Sequence, residues 1–363
     1  MFALQLIAGI ILLVAGAEAL VKGASKIAVT MGISPLVVGL TVVAFGTSAP
    51  ELSVSIMASI DGQTDIALGN VVGSNIFNVL FILGISALLV PLVVAQQLIR
   101  LDVPIMIGAS LLTLLVGWDG VIRPWEGFLL LTLGIAYTVF VLRLSKKEKN
   151  KAVKEEYQQQ FGDGHKTEKS KIWLHLLFIA AGLAMLILGS RWLVDSAVVL
   201  ATRFGVSNLV ISLTIIAAGT SLPEVATSVI ASIRGERDIA VGNVVGSNIF
   251  NIVYILGLSA IFGKGGIAVP ETALYFDLPV MIAVAFSCLP IFFSGKRLDR
   301  WEGVLFLIYY IAYTTYLILA SQRHASLETF TTAMIWFVIP LTLLTLGLIT
   351  IRELRKAGNQ HAR

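Results

Sequence analysis

The sequence predicts an all-α polytopic membrane protein made of two inverted five-helix repeats plus an extra C-terminal helix, eleven spans in total. Three observations predict it: an apolar composition, a long motif that occurs twice, and an uneven distribution of Lys and Arg along the chain. Of the 363 residues, 57% are hydrophobic and 13% charged, more apolar sequence than one soluble core can bury. Runs such as 4–14 and 330–351 are apolar on nearly every face, unlike the alternating strands of a β-barrel.

A helix needs roughly 20 apolar residues to cross a bilayer. Such stretches lie at about 3–21, 33–58, 66–95, 101–117, 124–143, 172–194, 206–232, 239–262, 275–294, 301–320 and 329–351. The hydrophobic N-terminus has no basic leader and no small-residue cleavage pattern, so it is expected to be the first span. Between the fifth and sixth spans, 146–171 is polar and without apolar periodicity, as expected for a solvated linker.

Cytoplasmic loops retain Lys and Arg. With the linker cytoplasmic, 21 of the 26 basic residues fall inside, and only Arg123, Arg191, Arg203, Lys264 and Arg323 fall outside. The N-terminus is then expected outside, the C-terminus inside, and the membrane is the cell inner (plasma) membrane. The net charge of +4 reflects this topology and implies no nucleic-acid partner. The lipid bilayer is the expected surrounding.

The repeat is the most informative feature. DIALGNVVGSNIFN from Asp65 and DIAVGNVVGSNIFN from Asp238 differ at one position, at an offset of 173. At the same offset, GTSAPELSVSIMASI from Gly46 matches GTSLPEVATSVIASI from Gly219. Further on, DVPIM from Asp102 resembles DLPVM from Asp277, and WEG recurs at Trp125 and Trp301. The expected units are a first repeat over 1–145, the linker 146–171, a second repeat over 172–320, and a terminal helix with a basic tail over 321–363. Five spans per repeat place the second copy upside down relative to the first, so equivalent motifs meet near the membrane midplane.

Glu51 and Glu224 both fall well inside spans. A carboxylate in that position costs at least about 2.5 kcal/mol and normally faces a polar cavity. Each follows a proline, and Pro50 and Pro223 cannot donate the helical hydrogen bond to the carbonyls of Gly46 and Gly219. Thr47, Ser48, Thr220 and Ser221 add hydroxyls beside the carboxylates. In the second motif, Asn70, Ser74 and Asn78 recur every four residues and share a helical face, as do Asn243, Ser247 and Asn251. Gly69 and Gly73, like Gly242 and Gly246, have the GxxxG spacing of close helix contacts.

The donor set is oxygen throughout. Cys288, the only cysteine, lies in an apolar run, and His165, His175, His324 and His361 lie in loops or at span ends. Two carboxylates with neutral oxygens suit a hard cation: calcium first, sodium on the same oxygens, and magnesium less well. No bound cofactor is expected, because calcium and sodium would be cargo. An intramembrane enzyme finds no supporting motif, and a cation channel is the alternative of a different class.

At these residues the sequence resembles the calcium/cation antiporter superfamily, in its sodium/calcium exchanger branch, which includes the bacterial calcium/sodium antiporter family. The signature is the doubled GTSxPE and GNVVGSNIFN. The resemblance implies calcium held by Glu51, Glu224 and the backbone carbonyls of Thr47 and Thr220. It implies sodium on the carbonyls of Ala44 and Ala217 with Ser48, Ser74, Ser221, Ser247 and the two glutamates, and Asn78 and Asn251 completing the centre. It also implies alternating access, with the first and sixth spans sliding against the other helices. Proton-coupled relatives carry a GNxxE-like motif in place of GTSxPE, so the resemblance favours sodium over the proton/calcium alternative. Some relatives carry Asp where this chain has Asn78 or Asn251, which leaves ion stoichiometry open.

Overall fold

The computed structural model describes residues 2–147, 172–203, 217–293, 295–322, 324–342 and 347. In chain order the helices are α1 (Phe2–Met31), α2 (Pro35–Thr47), α3 (Ala49–Ile60), α4 (Thr64–Leu89), α5 (Leu98–Val116) and α6 (Pro124–Lys147). The second half holds α7 (Ile172–Arg203), the single turn α8 (Ala217–Gly219), α9 (Leu222–Ile233), α10 (Arg237–Phe262), α11 (Ala273–Phe293), α12 (Arg300–Ser321) and α13 (Leu327–Thr342). Among the described residues, eight helices are long and apolar enough to cross a membrane, or nine if the bent pair α2 and α3 is one span. The chain is a multi-pass membrane protein. Of the eleven expected spans, 206–232 and 329–351 run partly outside the described residues, as does the linker.

The first helix is longer than its apolar stretch suggested. It continues past residue 21 to Met31 because Lys22 and Lys26 sit exposed on it and nothing breaks it before Gly32, whose φ of 65° favours glycine. Among the described residues, the helices carrying the GNVVGSNIFN motifs are the most buried: in an apolar 18-residue stretch of each, 78% of the residues are buried in α4 and 83% in α10, against 22% in α7 and 11% in α12. Buried motif helices and apolar outer helices are what a bilayer as solvent selects. Trp118, Trp125, Trp173 and Trp301 are exposed at helix ends, where an amphipathic ring meets the headgroup region.

Helices α1 and α7 run antiparallel, joined by glycines at seven-residue spacing. A Cβ on Gly9 would stand 2.9 Å from the carbonyl oxygen of Gly189, one on Gly16 2.8 Å from that of Gly182, and one on Gly23 2.9 Å from that of His175. Conversely, a Cβ on Gly182 would meet Gly16 O at 2.7 Å and one on Gly189 would meet Gly9 O at 2.8 Å. The helices therefore touch backbone to backbone. Because backbone cannot swing aside, Gly16→Leu is expected to destabilise the protein by about 1–3 kcal/mol. Thermal unfolding in detergent micelles checks this as a Tm drop of several degrees.

Two short ribbons join the halves. β1 (Leu92–Val93) pairs antiparallel with β4 (Arg297–Leu298), and β2 (Val121–Ile122) with β3 (Ile267–Ala268). The aspartates of DVPIM and DLPVM are tied alike: Asp102 accepts from Tyr137 (2.9 Å) and Asp277 from Tyr313 (2.9 Å). The turn between α9 and α10 is fastened to α1 by an Arg234–Glu18 ion pair and by the Ser25 hydroxyl donating to Glu236 (2.7 Å). Burial pushes the Glu236 carboxyl above its usual range, an effect the Ser25 hydrogen bond opposes and the nearby Asp238 charge adds to.

Candidate cation site

The two glutamates are placed by helix breaks. Between α2 and α3 the axis bends by 48° at Ser48, whose φ of −80° and ψ of 9° are not helical. The missing N–H of Pro50 permits the break, and Glu51 stands in the first turn of the new helix. Ser221 (φ −87°, ψ 7°) does the same before α9 and places Glu224 in its first turn. A helix N-terminus favours negative charge, so each carboxylate has local support.

The two motifs then interlock crosswise. The Ser48 hydroxyl donates to Glu224 Oε1 (2.8 Å), and the Ser221 hydroxyl donates to Glu51 Oε1 (2.7 Å). Each serine thus holds the glutamate of the other half. Ser221 Oγ also lies 3.2 Å from Ser74 Oγ, bringing α4 to the same point. Struts follow the same exchange: Thr47 donates to Asn243 Oδ1 (3.1 Å) and Thr220 to Asn70 Oδ1 (3.5 Å). Asn70 and Asn243 donate in turn to Ser55 (2.8 Å) and Ser228 (3.0 Å), fixing α4 to α3 and α10 to α9. Their role in the structure is bracing.

Five buried oxygens of the two motifs have no hydrogen-bond partner among the described residues: Glu51 Oε2, Glu224 Oε2, Asn78 Oδ1, Asn251 Oδ1 and Ser247 Oγ. All five residues are buried, Glu51 and Glu224 each only 1% exposed. An unmet buried polar atom costs about 1–3 kcal/mol. Four of the five atoms can only accept, so the partner that satisfies them together is a donor or a cation. Among the described residues there is no cluster of three or more His, Cys, Asp or Glu, so neutral oxygens must make up the rest of a coordination shell. Ser86 and Ser259, again 173 apart, and Ser196 and Thr227 are further buried hydroxyls without a partner among the described residues.

The other expected ligands are placed as follows. Thr47, Ser48, Ser74 and Ser221 are buried within this hydrogen-bonded cluster, and Thr220 is half-buried at its edge. The Ala44 carbonyl already accepts from Ser48 N (3.0 Å), and Thr47 Oγ1, whose hydrogen goes to Asn243, lies 3.4 Å from it. Ala217 opens the one-turn helix α8, and its side chain lies outside what is described. The carbonyl of Gly219, released from its helical bond by Pro223, is taken by the Ser190 hydroxyl from α7 at 2.6 Å. It is therefore not free, because a side chain of a neighbouring helix replaces the lost donor. Asn75 and Asn248, which no every-fourth-residue pattern includes, form the contact between α4 and α10 at the centre.

The family described as sodium/calcium exchanger protein matches residues 1–143 and 174–319, most of the chain. The chain belongs to the sodium/calcium exchanger protein family. The sodium/calcium exchanger MaX1 of Methanosarcina acetivorans is 35% identical over 339 residues, covering 85% of this chain and 96% of that protein. Inner membrane protein YrbG of Escherichia coli is 38% identical over 286 residues, covering 78% and 87%. Among solved structures, the sodium-calcium exchanger NCX_Mj soaked with Na+ and Ca2+ superposes with a TM-score of 0.72 at 29% identity, covering 85% of this chain and 96% of that one. The family match is in two segments, with residues 144–173 and the segment after 319 outside it. As a family member, the chain is a membrane cation antiporter.

Proposed function

We propose that this antiporter exchanges calcium for sodium across the cell inner membrane by alternating access. Both ions compete for one set of oxygens centred on Glu51 and Glu224. The observation that carries the reading is the crosswise pair of serine–glutamate hydrogen bonds, which links the two buried carboxylates across the halves and leaves the second oxygen of each unpartnered among the described residues. Asn78, Asn251, Ser74 and Ser247, with the carbonyls of Thr47, Thr220, Ala44 and Ala217, complete the proposed ligand set. In this reading the halves are inverted, the N-terminus is outside, the linker and C-terminus are cytoplasmic, and eleven helices cross the membrane. The antiparallel packing of the equivalent helices α1 and α7 and the reciprocal bonds at an offset of 173 support the inversion.

Coupling follows from charge. Two bare carboxylates in a low-dielectric centre repel each other, so the empty carrier crosses poorly and the loaded one crosses well. Calcium or sodium neutralises them, and a proton competes with both, so acid pH is expected to lower calcium affinity. The test is radioactive calcium uptake into proteoliposomes loaded with sodium, compared with a pH gradient alone. Uptake that requires internal sodium supports sodium coupling. Uptake driven by the pH gradient without sodium makes the protein a proton/calcium antiporter, and downhill uptake needing no counter-ion makes it a channel.

A further inference from the structure

Helices α4 and α10 meet through a reciprocal amide pair. Asn75 Nδ2 donates to the backbone carbonyl of Asn248 (3.2 Å), and Asn248 Nδ2 donates to that of Asn75 (3.2 Å). The same amides also lie against the sulfurs of Met281 (3.6 Å) and Met106 (3.5 Å), the methionines of DLPVM and DVPIM. Both donor directions of each amide are thus used, which fixes where its oxygen points. That oxygen is an acceptor for the neighbouring repeat: Asn78 Nδ2 donates to Asn248 Oδ1 (3.0 Å) and Asn251 Nδ2 to Asn75 Oδ1 (3.0 Å).

A carboxamide whose nitrogen is captured on one side turns its oxygen to the other. For Asn78 and Asn251, that oxygen is the buried, unpartnered atom. We propose that Asn75 and Asn248 are positioning residues that act through Asn251 and Asn78, holding both amides with their oxygens toward the transported cation. Without this hold, either amide can rotate and present its N–H groups to a positive ion, which is repulsive. The arrangement also explains why the DVPIM segment recurs: its methionine takes the second N–H and prevents the outer amide from flipping. An ionised carboxylate at 78 or 251 would have no hydrogen to give to Asn248 or Asn75, whereas the amide present in this chain does. The inference rests on the reading of Asn78 and Asn251 as groups that face the ion. It does not depend on which counter-ion is exchanged.

The test uses equilibrium binding of calcium alone to the purified full-length protein in detergent. It compares Asn248→Ala with Asn248→Asp. Both substitutions lose the donor to the Asn75 carbonyl, but only Asp keeps an acceptor for Asn78 Nδ2. Asn248→Ala is expected to weaken calcium binding about tenfold, and Asn248→Asp to bind no more weakly than the wild-type protein. In an Asn78→Ala background, Asn248→Ala should weaken binding by no further factor. Equal weakening by Ala and Asp would mean a purely structural strut and overturn the proposal, as would the same tenfold loss with Asn78 already removed. If Asn248→Ala does not fold, Asn75→Ala and Asn75→Asp make the same comparison through Asn251. A failure of sodium-dependent uptake with this binding pattern intact would overturn the coupling reading alone, so the two failures are distinguishable.

Discussion

Glu51→Gln and Glu224→Gln are each expected to abolish sodium-driven calcium uptake. Either change leaves one carboxylate at the centre, and the glutamine nitrogen brings N–H donors where acceptors are needed. The serine bonds survive, since Ser221 and Ser48 donate and a glutamine oxygen accepts, so the fold should persist. Loss of one charged ligand contact is worth about 2–3 kcal/mol, so calcium affinity should fall roughly 100-fold. The check is calcium binding to the purified variants together with their thermal unfolding. Weak binding at an unchanged Tm places the effect in the site, and near-normal binding would exclude the carboxylate as a ligand. Calcium should lose more than sodium, because the divalent ion depends more on the second negative charge.

The second large effect is structural. A Cβ on Gly246 would stand 2.6 Å from the carbonyl oxygen of Leu40 and 2.7 Å from its Cα, both backbone atoms. Gly242 is nearly as close, 2.9 Å from Leu36 O. Together they let α10 lie directly on α2, and that contact keeps Thr47 within reach of Asn243. Gly246→Val should therefore force the helices apart at a cost of about 3 kcal/mol or more and lower the yield of folded protein. It should also weaken calcium binding in whatever protein folds. Size-exclusion profiles and calcium binding of Gly246→Ala and Gly246→Val should show loss graded with side-chain volume; a well-folded, normally binding Val variant would contradict the packing account.

Much of this was readable in the sequence because the repeat shows each feature twice. The 173 offset identified the paired glutamates, the prolines before them and the GxxxG contact of Gly242 and Gly246 without any coordinates, whereas a Cβ on Gly69 or Gly73 would meet nothing within 4 Å among the described residues. Tertiary relations were not readable. Periodicity places Ser48 near Glu51 along the chain, yet its hydroxyl serves Glu224 of the other half. Asn75 and Asn248 were missed because an every-fourth-residue stripe through Asn70, Ser74 and Asn78 passes them by, although both lie in the duplicated motif. Their partners are on the opposite repeat, and periodicity within one helix contains no such information. The geometry beyond the motifs is also irregular: Asn78 and Asn251 each open a π-helical segment, Asn78–Leu83 and Asn251–Leu256. Such wide turns occur often at functional sites and leave no mark in a 3.6-residue pattern. The fate of the Gly219 carbonyl depended on Ser190, whose equivalent in the first repeat is Ala17, so comparing the halves could not reveal it.

The central claim is that two different cations use one buried set of oxygens. The most direct measurement is equilibrium binding of radioactive calcium to the purified protein at a series of sodium concentrations. The account predicts that sodium raises the apparent Kd for calcium continuously while the number of calcium sites stays constant, and that Glu51→Gln/Glu224→Gln removes the saturable binding altogether. Calcium binding that sodium leaves unchanged, or that persists without both carboxylates, would contradict it.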